Sequence, residues 1–372
     1  MVQTTVSGTT NYTIGDSRKP ITPNLSITDP NNGRNGTSVI ITSDANQNVP
    51  PQVTYNNGNV TVTLNDFTGD GRPDILWRNY SNGETAVWEM NGTALQQSIL
   101  LPPTQDTRWE IEGQGDFTGD GKPEILWRNY STAETAIWQL NGTTLQQSTL
   151  LTAVPDTAWR IEGVSDFTGD GKADILWRNN RSGENGIWQM NGTTLEQSTL
   201  LPTLEDTAWQ IKGLADFTGD GKDEILWRNN RTGENSIWQL NGTTLQQSIS
   251  LTPLAVDTGW DIAGQADFTG DGKTDILWRN YKTGDNAVWQ MDGTTFGESI
   301  SLTPIADTRW QVKGLADFTG DGKVDILWRN NGTDESTIWR MNGTALAESI
   351  SLATTGSTAW EINFPSSFAV AI

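Results

Sequence analysis

The sequence predicts an all-β propeller built from four-stranded blades, on three observations. The string DFTGDG begins at Asp66, Asp116, Asp166, Asp216, Asp267 and Asp317, a spacing of 50 residues with one step of 51. All 18 Trp fall into the same six repeats, three in each, as with Trp177, Trp188 and Trp209 of the third. Each unit reads as four short strands with no sustained helical periodicity. Repeats of this length with four strands are the signature of propeller blades. A β-helix needs shorter coils, and a string of separate domains would require each unit to bury a core of its own, which is difficult at this size.

The third repeat shows the elements in order. Residues 158–163 (AWRIEG) alternate apolar and polar, as a half-buried strand does. Residues 166–174 form a loop rich in Gly and Asp. Residues 175–178 (ILWR) are a short apolar run, expected of a strand covered on both faces. Turn material at 181–183 leads to a third strand at 186–190 (GIWQM). Asn191-Gly192 is a strong hairpin signal, and residues 194–201 make a fourth strand. The extra residue of the long step falls in 252–257, a loop.

The ends suggest how the ring closes. Residues 35–37 (NGT) echo the hairpin turn, 38–43 (SVIITS) match a fourth strand, and 59–64 (NVTVTL) match the first strand of the next blade. Weaker strand candidates lie at 11–14 and 25–28. Residues 358–363 (TAWEIN) read as a first strand with no acidic loop after it. The expectation is seven blades, the seventh a composite of N-terminal strands and this C-terminal strand, with six blades as the alternative. The chain then divides into an N-terminal segment (1–65) supplying closing strands and the first strand of blade one, six tandem repeats (66–352), and a closing strand with tail (353–372).

Composition narrows the chemistry. The 372 residues carry 24 Lys plus Arg against 45 Asp plus Glu, a formal charge of −21, which disfavours nucleic acid and anionic membranes and attracts cations. With neither Cys nor His in the chain, thiolate and imidazole metal sites and Ser-His or Cys-His nucleophilic catalysis are excluded. No run of 18 apolar residues predicts a membrane span, and the first 30 residues show no apolar core of a signal peptide.

The loop Asp-Phe-Thr-Gly-Asp-Gly-Lys-x-Asp offers oxygen donors at positions 1, 3, 5 and 9 and a backbone carbonyl at 7. Calcium takes six to eight oxygens, and Gly at position 6 permits the sharp turn. An EF-hand would need a bidentate Glu at position 12, but that place holds Trp77, Trp127, Trp177 and their counterparts in a strand. The loops, recurring six times in register, resemble the FG-GAP or VCBS repeats, calcium-loop propellers that include integrin α heads and some fungal lectins. The resemblance covers about residues 66–350. It implies about six Ca²⁺, held by Asp66, Thr68, Asp70, Asp74 and the carbonyl of Arg72; by Asp116, Thr118, Asp120, Glu124 and Lys122; and by Asp166, Thr168, Asp170, Asp174 and Lys172. In the later repeats it implies Asp216, Thr218, Asp220, Glu224 and Lys222; Asp267, Thr269, Asp271, Asp275 and Lys273; and Asp317, Thr319, Asp321, Asp325 and Lys323. Two departures concern affinity: Thr replaces the family's usual Asn or Asp at position 3, and position 9 is Glu in two loops. The competing reading is a set of Asx-turns without an ion, though clustered carboxylates without a cation repel each other.

Three Trp per repeat invite a sugar-stacking reading, but facing blade sheets need large apolar residues, so core packing is expected for most. The NGT triplets match glycosylation sequons; Asp292-Gly293-Thr294 keeps the turn and loses the sequon, so the turn reading is preferred. A second constellation is Arg78/Glu84, repeated as Arg128/Glu134, Arg178/Glu184, Arg228/Glu234, Arg279/Asp285 and Arg329/Glu335. It reads either as an ion pair across the hairpin mouth or as a ligand site, on the face opposite the acidic loops, which in the integrin relatives is the ligand face. The functional expectation is a calcium-binding, non-enzymatic module for a glycan or surface protein ligand, lectin-like or adhesive. The alternative is a structural protein docking a partner chain. Weak calcium sites fill at extracellular levels, which places the protein outside the cell or on its surface; the apolar tail 368–372 is compatible with a C-terminal export signal.

Overall fold

The computed structural model describes residues 65–364, together with the backbone of four short strands nearer the N-terminus. Six four-stranded antiparallel sheets follow one another along the chain. In blade three the strands are Trp159–Ser165, Asp174–Asn179, Asn185–Asn191 and Thr194–Leu201, innermost to outermost. The second strand is buried at every position, as expected of a segment covered by a blade on each side. The fourth, Thr194–Leu201, is largely exposed and forms the rim.

The described ring has six blades, and this corrects the seven-blade expectation. The C-terminal strand Trp360–Asn363 pairs directly with Ile75–Asn79, Trp360 opposite Asn79 and Ile362 opposite Trp77. It thereby becomes the inner strand of blade one, whose other strands are Ile75–Asn79, Thr85–Asn91 and Ala94–Leu101. The first strand expected at 59–64 does not take that place: its described part, Asn59–Thr61, pairs instead with Thr54–Asn56. Val2–Val6 and Thr9–Thr13 form a second hairpin, while the strand candidates at 25–28 and 38–43 lie outside the described residues. Both N-terminal and C-terminal segments carry strand-one patterning, but the C-terminal one also brings Trp360, the indole that every other blade has at this place.

The inner strands of blades two to six each contain a bulge that aims one side chain into the next contact. In blade two the register slips between Ile111 and Gly113. A Cβ on Gly113 would meet Val164 Cγ2 at 2.6 Å, so the glycine is the seat for the neighbouring blade's side chain. Gly163 seats Leu214, Gly213 seats Gln265, Gly264 seats Leu315 and Gly314 seats Phe364. The closing strand omits the bulge: Asn363 lies opposite Leu76, and Phe364 moves one place forward onto Gly314.

Between blades the core is aromatic. The second-strand Trp77, Trp127, Trp177, Trp227, Trp278 and Trp328 are at most 2% exposed. Each packs on the third-strand Trp of its own blade, with centroids 4.6–5.0 Å apart. The expectation that most tryptophans are core is thus met by these twelve, while Trp109 and its counterparts at the inner-strand starts are half-buried.

Truncation before residue 357 removes the strand that covers Ile75–Asn79 and should lower the melting temperature sharply or cause aggregation through the freed edge. Deletion of residues 1–50 should leave the melting of the ring nearly unchanged. Calorimetry of the two truncations checks this; equal loss from both would contradict the six-blade closure.

Candidate metal centres

Each acidic loop leads directly into the second strand of its blade, so all six loops lie on one face of the ring. The two glycines at positions 4 and 6 have positive φ, for example 76° at Gly119 and 82° at Gly121, which a residue with a Cβ rarely adopts. This turn wraps the loop around its first residue. Asp116 Oδ1 accepts from the amides of Gly119 (2.6 Å) and Asp120 (3.1 Å), and Oδ2 from Gly121 (2.6 Å). The other loops repeat this pattern, as at Asp66 and Asp317.

Position 9 separates the loops into two kinds. In loop two, Glu124 accepts from the amides of Phe117 (2.7 Å) and Thr118 (3.3 Å) and from the Thr118 hydroxyl (3.1 Å). In loop one, Asp74 takes the Phe67 and Thr68 amides on Oδ2, but Oδ1 turns to the Met90 amide of the third strand at 3.0 Å. Asp174, Asp275 and Asp325 do the same with Met190, Met291 and Met341. The extra methylene carries the glutamate carboxylate further into the loop. Among the described residues, ligand atoms of three acids come within 4.8 Å of one another at Asp116, Asp120 and Glu124 and at Asp216, Asp220 and Glu224. The sequence reading gives all six loops the same site type and marks Glu at position 9 as a departure in affinity; the structure gathers a carboxylate trio in the two loops that carry Glu.

Position 3 stands inside the same arrangement. The Thr118 and Thr218 hydroxyls donate to the glutamates, and those of Thr168 and Thr319 to the position 1 aspartates. Thr68 and Thr269 bury an Oγ1 without a partner. Position 5 is exposed, its carboxylate accepting the position 7 amide, as Asp70 does from Arg72 and Asp120 from Lys122. The position 7 side chain reaches the hairpin turn, Lys122 Nζ donating to Asn141 Oδ1 at 2.9 Å and Lys323 to Asn342 at 2.6 Å. Arg72 pairs in the same way with Asn91.

Burial is the main cause of raised carboxyl pKa values here, with neighbouring acids adding to it. Asp74, Glu124, Asp174 and Glu224 are pushed up to about 7, and Asp275 and Asp325 to about 6. Asp66, Asp116, Asp267 and Asp317 also rise. Partly desolvated acids crowded around a threonine hydroxyl, which is unpartnered in loops one and five, fit a hard divalent cation, whose charge would reverse this cost. The side chains at positions 1, 3, 5 and 9 and the carbonyl at 7 would hold it.

Sequence reasoning missed how the loops are clamped. The Ala173 amide of loop three donates to the Asp116 carbonyl (2.7 Å), the Thr274 hydroxyl to the Asp216 carbonyl (2.7 Å), and the Gly192 amide to the Phe117 carbonyl (3.0 Å). Asp223, buried and pushed up to about 6, accepts from Ser165 Oγ of the preceding blade at 2.7 Å. Position 8 varies from repeat to repeat, so no periodic signal marked it.

The Arg and Glu constellation is not brought together. The arginine guanidiniums are buried and bond carbonyls: Arg78 donates to the Gly83 carbonyl (2.6 Å) and the Thr85 hydroxyl (3.1 Å). Each stacks on a Trp of the next blade, Arg78 on Trp127, Arg128 on Trp177, Arg178 on Trp227, Arg228 on Trp278, Arg279 on Trp328 and Arg329 on Trp77, at 4.9–5.1 Å. Glu84, Glu134, Glu184, Glu234, Asp285 and Glu335 instead accept from Asn82, Thr132, Ser182, Thr232, Thr283 and Thr333 within the turn. The expected ion pair across the hairpin mouth is absent from these pairs, because the guanidinium is drawn inward to the indole and the turn carbonyls. The arginines do not present a ligand-binding array to solvent.

The profile of the FG-GAP-like repeat matches residues 66–127, 116–177, 166–227, 216–278 and 267–328, together well over half the chain. The chain belongs to the FG-GAP repeat family. No curated protein sequence matches it. Among solved structures, a Tc holotoxin pore of Photorhabdus luminescens is similar over 83% of this chain at 18% identity and a TM-score of 0.46, this chain spanning 13% of that one. A chain from the nidogen/laminin complex is similar over 80% of this chain and 98% of its own, at 13% identity and a TM-score of 0.52. A protein of unknown function from Bacteroides caccae covers 75% of this chain and 93% of its own, at 13% identity and 0.45. At these identities the likeness concerns the fold.

Two predictions follow from the geometry. The position 9 acids have folded pKa values raised above their unfolded ones, so their stabilisation is complete below about pH 4 and is lost as pH rises through 6 to 7. In chelator, these groups should make the FG-GAP ring melt higher at pH 5 than at pH 8, with the gap narrowed by Asp74→Asn and Asp174→Asn together; thermal melts of both proteins measure it. Separately, Arg228→Lys should cost about 1–3 kcal/mol in urea unfolding, because Lys keeps the charge but loses the planar fork and the stacking.

Proposed function

We propose that this FG-GAP protein is a calcium-stabilised, non-enzymatic binding module that works outside the cell or on its surface. The observation that carries the reading is the carboxylate trio of Asp116, Asp120 and Glu124, and its counterpart at Asp216, Asp220 and Glu224, set in loops clamped by the neighbouring blade. About six Ca²⁺ are proposed, the two Glu loops binding most tightly. Full occupancy would change the formal charge from −21 to −21 + 6 × 2 = −9, easing the self-repulsion of the ring. The loop acids recur in every blade, whereas catalysis needs one distinct constellation, which supports a non-catalytic role. Near-equivalent blades support a multivalent, lectin-like grip on a glycan, where several weak sites add by avidity.

A second reading is a protein partner. A chain that resembles this one comes from a crystal structure of a nidogen/laminin complex, and a propeller face offers a broad surface for such docking. Binding to immobilised glycans, against binding to surface proteins stripped of them, separates the two.

Calorimetric titration of chelator-treated protein should give a stoichiometry near six, with Glu124→Gln and Glu224→Gln together removing the two tightest sites. Millimolar calcium should raise the melting temperature, each site contributing about 2.7 kcal/mol at a hundredfold excess over Kd. High salt should imitate only the part that comes from screening. No calcium-dependent shift at low or high salt would sink the calcium reading.

A further inference from the structure

The repeats are close to equivalent everywhere except along the central channel. There the inner strands enclose a cavity of about 320 Å³, lined by residues of every blade. The floor is a layer of side chains in which Val164, Leu214, Gln265, Leu315 and Phe364 are seated on the bulge glycines and Gln114 stands beside the closing strand; all are apolar except the two glutamines. Gln114 donates from Nε2 to the Asn363 carbonyl (2.8 Å) and Gln265 to the Lys212 carbonyl (3.2 Å). Their Oε1 atoms are buried acceptors without a partner, on side chains 6% and 0% exposed. Blades two and five, which supply these glutamines, lie opposite each other in a ring of six.

The layer above the floor, on the side away from the acidic loops, is lined by Glu112, Lys212, Ala263, Lys313 and Asn363, and Glu162 holds the corresponding place in the repeat of blade three. It is polarised along the same axis. On one side stands Glu112; burial and the nearby Glu110 and Glu162 push it up to about 8, against the Tyr130 hydroxyl and the Arg160 guanidinium. Opposite it, in blade five, the side chain shrinks to the methyl of Ala263, which leaves a recess flanked by lysines of the two adjacent blades. Lys212 is engaged by Asp261 at 2.9 Å. Lys313 is half-buried, with its charged form disfavoured by burial, and no ion pair is formed by it among the described residues.

We propose that this channel mouth binds a small zwitterion, a free α-amino acid or a compound with the same pairing of ammonium and carboxylate. The ammonium would face Glu112 and Gln114 Oε1, and the carboxylate would enter the Ala263 recess between Lys313 and Lys212. An acid and a lysine stand half-buried on opposing walls, and with Lys313 outside any ion pair among the described residues and two glutamine acceptors without a partner, a ligand that carries both complements satisfies them together. Unpartnered acceptors in the floor call for N–H donors. The site is separate from the metal loops and does not depend on their occupancy.

The test is calorimetric titration of the full chain with glycine, alanine, glutamate and lysine, in calcium and in chelator, with ethylamine and propionate as single-charge probes. At least one amino acid should bind with one site per chain and about tenfold or more tighter than either single-charge probe. Glu112→Gln and Lys313→Gln should each weaken it about tenfold or more. Ala263→Gln fills the recess without changing charge and should abolish binding while leaving the melting temperature in place. No binding of any of the four up to about 10 mM, equal binding of ethylamine, or unchanged binding to Ala263→Gln would overturn the proposal. Binding that persists in chelator leaves the channel site standing even if calcium does not bind the loops.

Discussion

A guanidinium laid on the indole of the next blade is the contact on which the ring is built. An arginine side chain is costly to bury unless its donors are met. Here the cost is offset by the carbonyls of its own hairpin turn and by the face of the neighbour's tryptophan. The same arrangement therefore fixes two things at once: the turn between the second and third strands, and the angle at which one blade meets the next. Six such contacts form a closed cycle, from Arg78 on Trp127 round to Arg329 on Trp77. A seventh blade would have to open that cycle.

The acidic loops depend on this frame. A nine-residue segment wound around one aspartate has little apolar surface of its own, and its Phe is the part that enters the core, as with Phe117 and Phe318. In loops two and four the backbone is held by the adjacent blade, whose position 8 residue, Ala173 or Thr274, donates to a loop carbonyl, as the Gly192 turn amide also does in loop two. Changes between blades and changes at the loop acids are consequently coupled, although no side chain in the loops touches the arginines. The channel is the exception to sixfold regularity, because its lining faces a shared space and each blade can differ without disturbing a repeated contact.

The period, the four strands per unit and the core role of the paired tryptophans were legible because they recur, and recurrence is what a single sequence displays best. Blade number was misread because residues 59–64 and 358–363 carry the same alternating pattern; pairing is decided by the indole of Trp360, which only one of them has. The arginine and glutamate motif was legible as a motif but not as a contact. Spacing placed both at one hairpin, while the partner of Arg78, Trp127, belongs to another repeat. Glu at position 9 was legible as a departure bearing on affinity, but not its consequence, because the third-strand amides of Met90 and Met190 that capture the shorter aspartate lie outside the motif. The channel residues were illegible for the opposite reason, since a position that varies in every repeat leaves no period to detect.

Closure by Trp360–Asn363 also sets an order of events during synthesis. The partner strand ends at Asn79, and 360 − 79 = 281 residues must be translated before Trp360 exists to cover it. At roughly 5–20 residues per second the ribosome takes about 14–56 s to bridge that gap. Throughout it, the inner edge of the first blade stands open on the nascent chain, beside growing blades whose own strands have nearly the same sequence. Register errors between near-identical repeats are the hazard of such a chain, and the one strand that lacks the bulge distinguishes the true partner from the five others.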